Sequence, residues 1–258
     1  MIYKIFLMIF LLNISFECYA FKVNRVILGC DTNPMYVEFW PIVAKTWKEI
    51  VGITPTLAFI APIDFPLDET IGEVIRFEPI PGIPTSFQAQ VIRLLLPIYF
   101  PNEFCIISDM DMIPLQRNFF VDNLAPIRSD GFVIFNDAGK YVQGYPEYLM
   151  CYVAGMGKTF GEIFNIFSVD EIYPRLKEWY TLTQGWTSDQ RILYNAVNSW
   201  DQTRIIKLGY DEPHRVDRLY WQYYPELLKK RNYYVDSHLL RPYGAHKKEI
   251  DALLEILV

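Results

Sequence analysis

Phe104-Cys105-Ile106-Ile107-Ser108-Asp109-Met110-Asp111-Met112-Ile113-Pro114-Leu115 is the stretch that decides the fold. It opens on an unbroken apolar run, which suits a strand buried on both faces at the centre of a helix-covered sheet. The strand runs into two carboxylates, Asp109 and Asp111, and in an extended segment these point the same way. Two acids aimed together repel, and burial sharpens the repulsion unless a hard cation sits between them. Mg²⁺ or Mn²⁺ held by one or two carboxylates completes its shell with water and phosphate oxygens. The expectation is a metal-diphosphate site at the carboxyl end of a central strand, where open α/β sheets bind ligands. An Asp-x-Asp also closes ordinary loops, so its surroundings decide.

Working outward, Arg25 to Cys30 is a short apolar strand that ends in the turn Asp31-Thr32-Asn33-Pro34. A helix is expected from about Tyr36 to Val51, with Pro41 tolerated only in a first turn. Strands follow at Thr56 to Ile60 and Val74 to Phe77, then a Pro-rich loop from Pro79 to Pro84. Gln88 to Leu96 is helical and ends at Pro97. Beyond the Asp-x-Asp, Gly131 to Phe135 and Leu149 to Ala154 read as strands. Helices start near Phe160, Pro174 and Thr187, a strand covers Tyr233 to Asp236, and a helix begins near Lys247. Strands alternating with helices predict a three-layer α/β domain with a mostly parallel central sheet.

The chain has 258 residues, 52% of them hydrophobic and 21% charged, with no repeat and no linker, which predicts one globular domain over residues 21–258. A net charge of −6 argues against a nucleic-acid partner, because phosphate binding needs a basic face. Lys229-Lys230-Arg231 reads as a solvated helix end. Residues 1–20 have the layout of a secretory signal peptide: Lys4, an apolar run from Ile5 to Leu12, and small residues at Cys18 and Ala20. The apolar run is too short for a permanent span, and the expected localisation is the secretory pathway, with a cytosolic chain as the alternative. Of the four cysteines, Cys30, Cys105 and Cys151 fall in apolar segments and read as small buried hydrophobes. Their spacing does not suit zinc.

Four other places suit a metal-diphosphate site. Asp31 and Asn33 at the first strand's end can read the edge of a nucleobase while Tyr36 stacks on its face; an Asx turn before a helix uses the same residues. Arg93 is the only charge in its helix and shares a polar stripe with Ser86 and Gln90. It can grip a carboxylate or a phosphate, or it can snorkel from an exposed face. Thr187 with Gln190 has capping-box spacing, Asp189 suits the helix dipole, and the same helix start can present Asp189 and Gln190 into a cleft. Two of the three histidines, His238 and His246, lie in the tail, where either can complete a metal shell and favours Mn²⁺ over Mg²⁺.

In this order, the segments resemble the GT-A glycosyltransferases, and among them the glycogenin and lipooligosaccharide galactosyltransferase group. The resemblance spans about residues 25–250 as a series of short matches. It implies a Rossmann-like three-layer GT-A fold and transfer of a sugar from a nucleotide-diphosphate donor, a UDP-sugar, to a carbohydrate or glycoconjugate hydroxyl. It implies that Asp31, Asn33 and Tyr36 face the nucleoside, that Arg93 and Asp109 contact the donor, and that Asp109, Asp111 and His238 (or His246) hold the metal. It also implies that Asp189 and Gln190, within Asp189-Gln190-Arg-Ile-Leu193-Tyr-Asn195, line the sugar pocket. The group's Asn-Ala/Ser-Gly segment is replaced here by Cys151-Tyr-Val-Ala-Gly155, and its late His-x-x-Gly-x-x-Lys-Pro-Trp is degraded.

Two other classes share parts of the pattern. A haloacid-dehalogenase-type Mg²⁺ phosphatase also places Asp-x-Asp after an apolar strand. That family calls for Thr or Val where this chain has Ile113, and for a later acidic element that the chain lacks. A non-catalytic carbohydrate-binding relative fits the degraded tail but not the retained Asp109, Asp111 and Asp189. The aromatic stretch from Tyr210 to Tyr234 suits either core or an acceptor-stacking surface.

Overall fold

The structure, a computed structural model, describes residues 22–124, 127–136, 146–183, 185–208 and 214–257. The expected signal peptide at residues 1–20 lies outside the described residues. The strands are β1 (Val23–Asp31), β2 (Thr54–Ile60), β3 (Glu73–Phe77), β4 (Phe104–Ile107), β5 (Met112–Pro114), β6 (Phe132–Ile134), β7 (Val153–Met156), β8 (Ile205–Lys207), β9 (Arg215–Val216) and β10 (Asp236–His238). The helices are α1 (Pro34–Val37), α2 (Trp40–Thr46), α3 (Thr85–Leu95), α4 (Gly157–Phe164), α5 (Ile172–Leu182), α6 (Ser188–Ser199), α7 (Pro225–Lys230) and α8 (Lys247–Leu257).

Seven strands form one sheet in the order β3-β2-β1-β4-β7-β6-β8, and β7 alone runs against the rest. A second sheet has the order β5-β10-β9. Side chains of a central strand alternate between two cores, as a strand covered on both faces requires. In β4, Phe104 and Ile106 join a core with Trp40, Val43 and Trp47 and with Ile250 and Leu253 of α8. Cys105 and Ile107 join a second core with Ile92 of α3, Phe160 of α4, Leu176 of α5 and Leu193 of α6. The three-layer, mostly parallel expectation holds, and Cys30, Cys105 and Cys151 are buried as expected.

Several boundaries differ from the sequence reading. The helix expected over Tyr36 to Val51 is broken into α1, α2 and a wider turn over Trp47–Val51. Pro41 sits in the first turn of α2, where its missing N–H leaves no bond unmade. Helix α3 starts at Thr85, immediately after Pro84. The last strand begins at Asp236 instead of Tyr233, because its register is set by pairing with β5 rather than by its own hydrophobicity.

Parallel pairing of β1 with β2 and β4 brings the ends of β1 and β4 to one edge of the sheet. At Gly29 of β1 an added Cβ would lie 2.2 Å from the Ala89 carbonyl oxygen, so only glycine lets α3 lie this close to the strand. The fully buried Gln88 fastens the preceding Pro-rich loop to α3, accepting from Ile80 N at 3.0 Å and donating to Ile83 O at 2.8 Å. The helix that carries Arg93 is therefore clamped at the strand ends.

Candidate active site

A cavity of about 290 Å³ opens at this edge. Asp31, Asn33 and Tyr36 line it from the β1 turn, Ser86, Gln90 and Arg93 from α3, and Asp109 and Asp111 from the segment after β4. Asp189 and Gln190 enter from the start of α6, and Arg215, Arg218, His238 and Arg241 from the second sheet and its loops. The polar stripe expected on α3 is real, but Arg93 is 7% exposed and does not snorkel.

Arg93 is the hub. Its Nη1 donates to Asp109 Oδ1 and to Ser108 O, and its Nη2 donates to Asp189 Oδ2 at 2.7 Å. Burial alone would make Arg93 easier to deprotonate, but the two carboxylates outweigh it and hold the guanidinium above its usual pKa. Asp189 is buried as well, and burial raises its pKa; Arg93 and the Gln190 N–H pull it back without cancelling the effect. Both Asp189 oxygens are engaged, since Oδ1 accepts from Gln190 N at 2.9 Å. The capping box expected from Thr187 does not form. Gln190 lines the cavity instead, and its Oε1 is buried with no hydrogen-bond partner among the described residues.

The expectation that Asp109 and Asp111 point together from an extended segment is not met. The chain leaves the sheet after Ile107 and turns, with Met112 N bonded to Asp109 O at 3.3 Å. Asp109 faces Arg93, whereas Asp111 faces Arg218 Nη1 at 2.7 Å, His238 Nε2 at 3.4 Å and Arg241 Nε at 3.4 Å. Burial pushes Asp111 up, but the hydrogen bond and charge of His238 and the charges of Arg218 and Arg241 take it down to about 2. His238 arrives through the second sheet, where β10 pairs antiparallel with β5 and sets His238 opposite Met112. Leu239 N then donates to Asp111 O at 2.8 Å. His246, the alternative metal ligand, ends a turn before α8 and does not line the cavity.

The β1 turn is the Asx turn before a helix that its residues suggest. Asn33 Oδ1 caps α1 by accepting from Met35 N at 3.0 Å, while Asp31 accepts from Asn33 N at 3.1 Å and from Thr85 Oγ1 at 2.8 Å. The Tyr36 hydroxyl accepts from Arg241, and its ring lies 6.4 Å from that of Trp186, which is 63% exposed. These two rings flank the mouth of the cavity with faces that suit a planar base.

No family model matches the chain, and no curated protein matches it. Among solved structures it is similar to the galactosyltransferase LgtC in complex with donor and acceptor sugar analogues. That match has 13% identity and a TM-score of 0.51 and covers 90% of this chain and 95% of the other. The chain has the GT-A fold. At this identity the likeness is one of architecture.

Within this GT-A domain the sequence reading missed Trp186, Arg215, Arg218 and Arg241 as cavity residues. Arg241 stands in the tail already suspected for its histidines. Arg215 and Arg218 carry no local signal. The donor set of two carboxylates and one imidazole suits a hard or borderline cation such as Mn²⁺, and all three side chains line one cavity with Asp111 and His238 in contact. The residues fit a cation in kind. Among the described residues no three His, Cys, Asp or Glu side chains stand close enough for a ready-made cage, because guanidinium groups now hold both carboxylates.

Proposed function

We propose that this protein is a glycosyltransferase that moves a hexose from a UDP-sugar to an acceptor hydroxyl, with a divalent metal at Asp109, Asp111 and His238. The observation that carries it is the meeting, in one cavity, of five segments remote in sequence: the Asp31-Asn33-Tyr36 turn, Arg93, the Asp-x-Asp, Asp189-Gln190 and His238. Residues 1–20 direct the chain into the secretory pathway on this reading, and no helix among the described residues is long and apolar enough to cross a membrane. A nucleotide sugar and a carbohydrate acceptor are its partners.

Asp31 and Asn33 meet the base edge, and Tyr36 with Trp186 holds its face. Breaking the sugar–phosphate bond loads negative charge on the departing nucleoside diphosphate. Arg218 and Arg241 gather more positive charge around Asp111 than that carboxylate neutralises, so the basic wall faces the diphosphate. Mn²⁺ or Mg²⁺, when bound, adds Lewis-acid neutralisation of the same oxygens. Gln190 Oε1 accepts from a sugar hydroxyl and thereby gains the partner it lacks. Asp189 carries one hydrogen bond on each oxygen, from Arg93 and from the Gln190 N–H, which fixes the carboxylate at the sugar pocket. From there it either steadies the positive charge that develops on the sugar, which fits retention, or takes the acceptor's proton through a remaining lone pair, which fits inversion.

Arg93 on Asp109 argues against a phosphatase, whose first aspartate must attack phosphorus unpaired. The test is titration calorimetry of residues 21–258 with UDP, with and without Mn²⁺, alongside Asp111→Asn. Binding strengthened by Mn²⁺ and lost in the variant is expected. If a folded protein bound no nucleoside diphosphate under either condition, the proposal would fall. Binding that ignores Mn²⁺ would remove the cation and leave the arginines as the diphosphate's counterions.

A further inference from the structure

A second concavity, about 1070 Å³ in volume, lies on the other side of Arg215, which lines both spaces. Aromatic rings form much of its wall: Trp221, Tyr223, Tyr224 and Tyr233, with Lys248 and Glu249 of α8 at its polar edge. The rings are braced by other residues of the same wall. Tyr233 stacks on His214 with centroids 4.0 Å apart and planes 13° apart, and the Tyr234 hydroxyl accepts from Tyr224 N at 3.1 Å. Tyr224 is nevertheless 66% exposed. Trp221 holds a left-handed backbone, φ 45°, which a bulky residue adopts only where its surroundings impose it.

We infer that this groove seats the acceptor as a chain of two or more sugar units whose terminal hydroxyl reaches the donor cavity past Arg215. The inference rests on the glycosyl-transfer reading above and names the acceptor class for it. A pyranose offers a C–H face to an aromatic ring and hydroxyls to polar groups at the ring's rim, and this wall supplies both. The opposite charges of Lys248 and Glu249 disfavour a lipid chain, and the protein's net charge of −6 disfavours a polyanion. The volume is at the upper end for a compact ligand, roughly 300–1,000 Å³, and leaves room for more than one sugar ring.

The two spaces are also joined through one turn. Asp217 accepts from Leu219 N at 2.7 Å through its side chain, and from Trp221 N at 2.7 Å through its carbonyl. That turn sends Arg218 into the donor cavity and Trp221 into the groove. Arg215 between them is fixed by a two-bond grip on the buried Asp236, Nε–Oδ1 2.5 Å and Nη2–Oδ2 2.7 Å. A rigid threshold of this kind holds an acceptor at constant distance from the reacting sugar.

The test is calorimetric titration of the full chain with linear tetrasaccharides of glucose, N-acetylglucosamine, mannose and xylose, with and without UDP, and the same titrations on Trp221→Ala and Tyr224→Ala. At least one tetrasaccharide is expected to bind, more tightly than its monosaccharide, and to lose about tenfold in affinity in each variant. UDP affinity and melting temperature stay unchanged in Tyr224→Ala, whose ring is exposed and outside the donor cavity. If UDP bound and no tetrasaccharide did, the groove assignment would be overturned while the transferase reading stood. Saccharide binding indifferent to both variants would also overturn it, as would binding of a gelatin peptide digest in place of the saccharides. Saccharide binding by a protein that binds no nucleotide would overturn the acceptor role together with the transfer.

Discussion

Arg93 carries one positive charge between two carboxylates, and its worth to the protein lies in what its removal would strand. Asp189 is 2% exposed, so without the guanidinium its charge would sit in a poorly solvated pocket beside Asp109. Arg93→Ala is expected to cost about 3–5 kcal/mol in urea unfolding, the range for breaking a buried pair from one side. The same substitution made in an Asp189→Asn background should cost less by at least about 1 kcal/mol, because the stranded charge is then gone. Equal costs in the two backgrounds would show that Arg93 stabilises without the Asp189 charge, through Asp109, Ser108 and packing. Part of this was legible in the residues: a lone Arg in an apolar helix and an Asp at a helix start both suggested a charged site. Their direct contact was not, because nothing local in either segment announces a bond across 96 residues of chain.

At the scale of elements, the close approach of α3 to β1 sets where Arg93 stands. Gly29→Ala would place a methyl 2.2 Å from the Ala89 carbonyl, and backbone cannot rotate away as a side chain can. The expected result is a loss of about 1–3 kcal/mol in denaturant unfolding, together with weaker nucleotide binding as the helix is pushed off the strand. Unchanged nucleotide affinity in a destabilised variant would detach the helix position from the site. Strand β4, helix α3 and the Asp-x-Asp were readable because their signals are local: apolar runs, helical spacing and a proline stop. The second sheet was not, since a three-residue strand such as β10 exists through its partner β5 and has little pattern of its own. Arg218 went unnoticed for the same reason, as it reaches Asp111 only once that sheet has formed.

For the whole molecule, two cores on opposite faces of one sheet bury all three described cysteines. Burial raises each thiol, Cys151 to about 11 despite the opposing pull of Arg215. For an acid whose folded pKa is raised, the unfolded chain releases its proton first, so stability falls as pH rises through the interval between the two values. For Cys151 that interval runs from about 9 to about 11, and the loss is on the order of 3 kcal/mol once the upper value is passed. Melting temperature should drop more steeply from pH 8.5 to 10.5 in the native sequence than in Cys151→Ala. Parallel curves would mean that the thiol is not the group responsible. The three-layer plan was the most legible property of all, because a sheet covered on both sides demands apolar runs, and β4 and the stretch from Val26 to Cys30 of β1 display them.

The pairing of β10 with β5 also has a consequence in time. A chain is synthesised from its amino terminus, so Asp109 and Asp189 follow their partner Arg93, whereas Asp111 emerges before Arg218, His238 and Arg241 exist to face it. Arg218 follows Asp111 by 107 residues, and His238 and Arg241 come later still. The cationic surroundings of Asp111 are therefore among the last parts of the cavity to be made.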